Sequence, residues 1–222
     1  MYFHVTRGLN IRGLSDVYSK LKGRKASVKS AADRFIDSVD VISKWLNDNT
    51  SKLKDKEKYW HFDLAIIKLY SEFAEFMLKL LIAAINNDPK TFAAHKNVKF
   101  PSKIPYDVSK YLVTGDLYFD FKGRDGLIKK MNVFLPDNSP FIQAVKENKY
   151  KDSLEKLSAF RNWAAHDSEI AKSCALKLIK KSSGYQFAGS YLSAKTKTGN
   201  RLTDIGDNLK ELAETIKKIA KH

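Results

Sequence analysis

"KEKYWHFDLAIIKLYSEFAEFMLKLLIAAIN", residues 56–86, is apolar on almost every side of a helix. Its charges Asp63, Lys68, Glu72, Glu75 and Lys79 step by three to five residues and make one narrow polar stripe. A helix that can be wetted only along one stripe belongs at the centre of a bundle. "NNDP" (86–89) ends it, because Pro89 disfavours helical backbone at the residue before it. The most apolar part, "FMLKLLIAAI" (76–85), contains Lys79 and falls short of the ~18–20 apolar residues a membrane span requires. No membrane partner is expected.

The flanks repeat the helical period. In "SVKSAADRFIDSVDVISKWL" (27–46), Val28, Ala32, Phe35, Val39, Ile42 and Leu46 share one stripe, with Asp33, Asp37, Asp40 and Lys44 elsewhere. Near the other end, Leu202, Ile205, Leu209, Leu212, Ile216 and Ile219 do the same, and Lys217, Lys218 and Lys221 suit the negative end of the helix dipole. Residues 151–181 read as one long helix, its inner side marked by Leu154, Leu157, Phe160/Arg161, Ala164/Ala165, Ile170, Cys174, Leu178 and Ile179. Ser139–Pro140 is a helix start, with a capping hydroxyl and proline in the first turn.

Two segments break the pattern. Around 97–138 the signal is irregular: "KFPSKIPYD" is extended or loop, aromatics alternate at 119 and 121, and "GRDG" reads as a turn. A short hairpin and a broken helix both fit there. The Ser/Gly/Lys/Thr-rich stretch of about 182–200 reads as a loop, mobile or ordered by a partner. The expectation is one all-α domain over 1–222, a helical bundle with an irregular insertion at 97–138.

Forty Lys and Arg against twenty-five Asp and Glu leave a formal charge of +15. That surplus favours a polyanion, and it is also compatible with a plain lysine-rich surface. Cys174 is the lone cysteine, so an intramolecular disulfide is impossible and a reducing, cytoplasmic compartment fits. "MYFHVTRGLNIRG" lacks the apolar core of a signal peptide. His4, His61, His95 and His222 are scattered without metal-ligand spacing, so no metal is expected; no glycine-rich phosphate loop occurs, and no cofactor is expected. Trp45, Trp60 and Trp163 read as core, with base stacking a second use for Trp163.

"FRNWAAHDSE" (160–169) sets Arg161, Asn162 and His166 within what reads as the middle of that long helix. Asn162 and His166, four apart, share a face; Arg161 lies about 140° from His166 and must swing round to meet it. A packing role is open: Arg161 could pair with Asp152 or Glu155, and His166 could bond a carbonyl. Acidic residues 167 and 169 read as helix-surface charge. Lys172, Lys177, Lys180 and Lys181 follow, as RNA-backbone contacts or as a solvated face.

"RNWAAH" in a basic helical chain resembles the signature of the HEPN superfamily, helical ribonuclease and nucleotide-binding domains. "LYFDFKGRDGL" (117–127) also looks like a segment of standalone members. The resemblance implies a metal-independent endoribonuclease, a toxin or defence effector with an antitoxin protein as partner, dimerising so that two motif helices face across a cleft. Histidine suits a general base near neutrality, and a guanidinium stabilises a phosphorane. Arg161, Asn162 and His166 would be catalytic, with 2′,3′-cyclic phosphate and 5′-hydroxyl products. The alternatives are a non-catalytic module of the same kind binding RNA, nucleotide or a partner, and a helical interaction protein in which the motif is structural.

Overall fold

A computed structural model describes residues 26–115, 117–166, 168–181 and 184–220. The amino-terminal segment, with His4, and the terminal His222 lie outside these residues. Helix α1 (Val28–Thr50) starts where the Ser27 hydroxyl accepts the Ser30 N–H at 3.2 Å. Helix α2 (Asp55–Asn87) then runs 33 residues, about 50 Å, and ends as the proline at 89 requires. It packs against α1, against α4 (Tyr106–Thr114), against α7 (Asn148–His166) and against α9 (Ala188–Leu192). Between them come α3 (Lys90–Lys96), α5 (Gly123–Met131), α6 (Pro140–Lys146) and α8 (Glu169–Leu178), and α10 (Arg201–Ile219) closes the chain. The fold is all-α; among the described residues the sole β feature is an isolated bridge between Lys195 and Asn200.

One contiguous cluster of buried side chains draws on all of these helices except α4, which adds partly buried residues. Phe35, Phe73 and Phe76 meet at its centre, with ring centroids 5.4–6.1 Å apart. The α1 and α10 stripes face it as their spacing requires: Ala32, Phe35, Val39, Leu209, Leu212 and Ile216 are all buried. Among the described residues, no helix is long and apolar enough to cross a membrane.

Several expectations are corrected. Residues 151–181 are two helices: α7 ends at His166, and Ser168 caps α8 by accepting the Ala171 N–H at 3.2 Å. The break shifts the helical phase, so Ile170 is 79% exposed and Cys174 is exposed, while Ala175 and Leu176 turn inward. "GRDG" is the first turn of α5, not a free turn. Gly123 takes φ +63°, donates its N–H to the Ser158 hydroxyl, and sits so close to the Glu155 carboxylate that a Cβ would overlap it. Glu155 accepts the Arg124 N–H at 3.0 Å and is thus spent on this helix start. The insertion at 97–138 therefore carries two helices, and the extended 118–121 segment alternates exposed Tyr118 and Asp120 with inward Phe119 and Phe121. Trp45 and Trp60 are exposed, at 38% and 52%; Trp163 is core, which removes it as a base-stacking residue.

The 182–200 stretch, read as a loop, contains α9. Tyr191 stacks on Phe160 at 4.5 Å, Arg201 lies over Tyr191 at 4.1 Å, and Gly189 donates to Asp63 at 2.6 Å. An added Cβ at Gly189 would stand 2.0 Å from the Tyr59 carbonyl oxygen. Backbone cannot yield as a side-chain tip can. Gly189→Ala should lower stability by about 1–3 kcal/mol in urea unfolding followed by circular dichroism, as overpacking does elsewhere.

Candidate functional site

The polar stripe of α2 lies beneath a cleft of about 890 Å³. Tyr70, Glu72 and Glu75 form its floor; Arg34 of α1, Lys110 of α4, the 117–119 linker and Arg161 of α7 supply the walls. The floor carboxylates are held by neighbouring lysines, Glu72 by Lys68 at 2.6 Å and Glu75 by Lys79 at 3.3 Å. Partial burial pushes the Glu72 carboxyl upward, but its bond to Lys68 overrides that and leaves it below its ordinary value.

Arg161 is mounted on this floor. Its guanidinium lies 4.3 Å above the Tyr70 ring, donates to Asn162 Oδ1 at 2.7 Å, and approaches Asp120 at 3.6 Å. The Asp120 side chain is 59% exposed, so this ion pair contributes at most about 1 kcal/mol. The ring stack and the Asn162 bond fix the fork more firmly. The Tyr70 hydroxyl in turn accepts the Phe121 N–H at 3.0 Å, and its one proton has two acceptors in reach, the Phe121 carbonyl at 2.9 Å and the Asp120 carboxylate. Burial, followed by the bond to Asp120, raises the Tyr70 pKa well above its ordinary value near 10. Neither Asp152 nor Glu155 takes the arginine: Asp152 holds Lys156 and Glu155 caps α5.

The side chain of Arg161 keeps 25% of its exposure, and its remaining N–H donors point to no protein acceptor among the described residues. His166 stands at the last residue of α7, exposed and without a side-chain hydrogen bond to any described residue. It does not line the cleft. Within one chain, then, Arg161 and Asn162 are joined and His166 stands apart: the arginine does not swing round the ~140° to meet it.

The four lysines separate as well. Lys172 pairs with Glu169 at 3.6 Å; Lys177, Lys180 and Lys181 are exposed, with no ion pair among the described residues. Lys180 takes φ +55°, with the Lys181 N–H on the Leu176 carbonyl and the Lys180 N–H on that of Lys177. This is a Schellman closure with lysine at the left-handed position that glycine usually fills. Among the described residues no three His, Cys, Asp or Glu side chains gather in a metal-holding group.

Tyr70, Asp120, Arg34 and Lys110 were not expected from sequence. Tyr70 and Asp120 are fifty residues apart, and nothing local in "IIKLYSEF" distinguishes a clamp from a core tyrosine. No family model, curated protein or solved structure matches the chain.

Tyr70→Phe leaves the Phe121 N–H buried without its acceptor and should cost about 1–3 kcal/mol near neutral pH. Because the folded-state pKa is raised, the tyrosine's advantage over phenylalanine is fully present below the unfolded value near 10 and shrinks as pH rises beyond it. Chemical unfolding at pH 8 and pH 11 should show the gap between the two proteins narrowing. Lys180→Gly should instead stabilise the chain by about 1 kcal/mol, read as a higher urea midpoint.

Proposed function

We propose that the chain is a metal-independent endoribonuclease of the HEPN kind, acting as a dimer with the motif helices face to face. What supports the reading is one observation above the others: both Arg161 and His166 retain solvent-reachable, uncommitted polar groups instead of being sealed within the bundle. A histidine with no hydrogen-bond partner among the described residues can take the 2′-hydroxyl proton, and a guanidinium clamped from below presents its outer edge to a phosphate oxygen. Asn162 holds that fork in place. The separation of His166 from the arginine's cleft favours a composite site, in which one protomer's histidine serves the other's arginine. Apolar surface for such pairing borders the motif: Trp60, Leu64 and Ala164 line one recess, and Ile170 is exposed nearby on α8. Lys177, Lys180 and Lys181, with Lys172, would hold the RNA backbone. A role as a toxin or defence effector with an antitoxin partner, in the cytoplasm, belongs to the same proposal.

The second reading, a non-catalytic module that binds RNA or nucleotide, is favoured by the Tyr70–Asp120–Asn162 grip on Arg161. A group held that firmly can bind phosphate without any cut.

Total RNA incubated in EDTA separates the two. Cleavage to 2′,3′-cyclic phosphate ends is expected, with His166→Ala and Arg161→Ala each slower by about 10²-fold or more. Mixing the two variants should restore part of the activity, since a mixed dimer rebuilds one whole site. Variants that cut as fast as the parent would overturn the nuclease; no rescue on mixing would overturn the composite site.

A further inference from the structure

The proposed chemistry uses one wall of the cleft, and the remaining walls are unusual. Tyr118 is 97% exposed and Leu117 75% exposed, both lining the cleft at the linker between α4 and α5. Tyr111, on the same α4 as Lys110, is 55% exposed. Tyr118 has no ring or hydrogen-bond partner among the described residues, so the fold gains nothing from it. The charges are equally uneven. Both floor glutamates pair with lysines; Arg34 adds a through-space attraction to Glu72, and neither it nor Lys110 forms an ion pair with any described residue. The uncommitted charge in the cleft is therefore cationic.

We infer that this cleft holds a single-stranded segment of nucleic acid, with an unpaired base on the Tyr118 ring and its flanking phosphates on Arg34 and Lys110. The inference rests on the ribonuclease reading only for the strand being RNA, which Arg161, also lining the cleft, would then meet. Only unpaired bases expose both faces to an aromatic ring; a duplex hides them in its stack. Phosphates supply the anion that two cations without an ion pair can take, and the presence of aromatic and cationic side chains along one cleft matches the ordinary design of single-strand sites. An acidic peptide would satisfy Arg34 and Lys110 but leave Tyr118 idle.

A fluorescein-labelled 2′-O-methyl oligonucleotide of about 12 nucleotides, which cannot be cut, tests the cleft by fluorescence anisotropy. The parent should bind the single strand more tightly than its duplex. Tyr118→Ala should weaken binding at least about fivefold, and Arg34→Gln with Lys110→Gln should reduce the salt slope by about 1.4. All three side chains are exposed, so circular dichroism melts should match the parent. Unchanged affinity in Tyr118→Ala, a preference for duplex, or displacement by polyglutamate as readily as by poly(U) would each overturn the inference. Unmodified RNA, followed in parallel, keeps the two readings apart. Cleft-dependent binding without cleavage removes the nuclease alone, while His166-dependent cleavage that ignores Tyr118 and the two cations removes the cleft alone.

Discussion

Helix α2 has apolar surface on too many sides for one neighbour to cover, and the arrangement of the other helices answers that constraint. Five of them contact it, α1, α4, α7 and α9 most extensively and α10 less so, and what they do not close over is its polar stripe. Burying that stripe would take the Lys68–Glu72 and Glu75–Lys79 pairs out of water, a desolvation cost that a buried ion pair often fails to repay. A cleft over the stripe is the arrangement that avoids this cost, and of the stripe Glu72 and Glu75 floor the cleft found there. The stripe's other polar groups locate the neighbours. Glu72 takes a bond from Ser38 of α1 and the buried Asn86 donates to the Ile104 carbonyl at 2.6 Å ahead of α4, while Asp63, about 140° round the helix from Lys68, receives the Gly189 N–H and seats α9 on another side. A strip too polar to bury thus both opens the cleft and registers the helices around it.

The motif helix divides its work by position. Phe160 and Trp163, three apart, point into the core, and Phe160 stacks on Tyr191. Arg161, between them, lines the cleft and donates to its neighbour Asn162. Removing Arg161 therefore takes away a cation without touching the buried Phe160 and Trp163. The clamp beneath the arginine is a different matter. Tyr70 is buried and also secures the Phe121 backbone, which couples the arginine's position to the packing of the 118–121 linker.

The end of α7 is where sequence reading and structure diverge most. Along "AAHDSEIAKSC" the residues all tolerate helix, and a straight extrapolation of the apolar stripe puts Ile170 and Cys174 inside. The capping power of Ser168 interrupts it. The signal was present, a serine followed by glutamate at the first helical position, but it sat inside a helix-compatible string and read as surface charge. The outcome bears on chemistry, because it sets His166 at a helix terminus, exposed, and not midway along a packed helix.

Helical class, the central place of α2, the inward faces of α1 and α10, the stop at Pro89 and the start at Ser139–Pro140 follow from the chain alone. All rest on interactions between residues within a few positions of one another, periodicity and the steric demands of proline, although the Ser139 hydroxyl expected to cap the helix at Pro140 makes no cap bond. Arg161, Asn162 and His166 could be singled out the same way, as residue types at a helical spacing. What tertiary structure alone decided is their company. Tyr70 lies under Arg161, Glu155 binds the start of α5, Asp120 sits at the cleft's edge, and a glycine-containing loop folds into the core as α9. Each joins segments tens of residues apart, and such contacts depend on how whole helices pack, which no local pattern of side chains encodes.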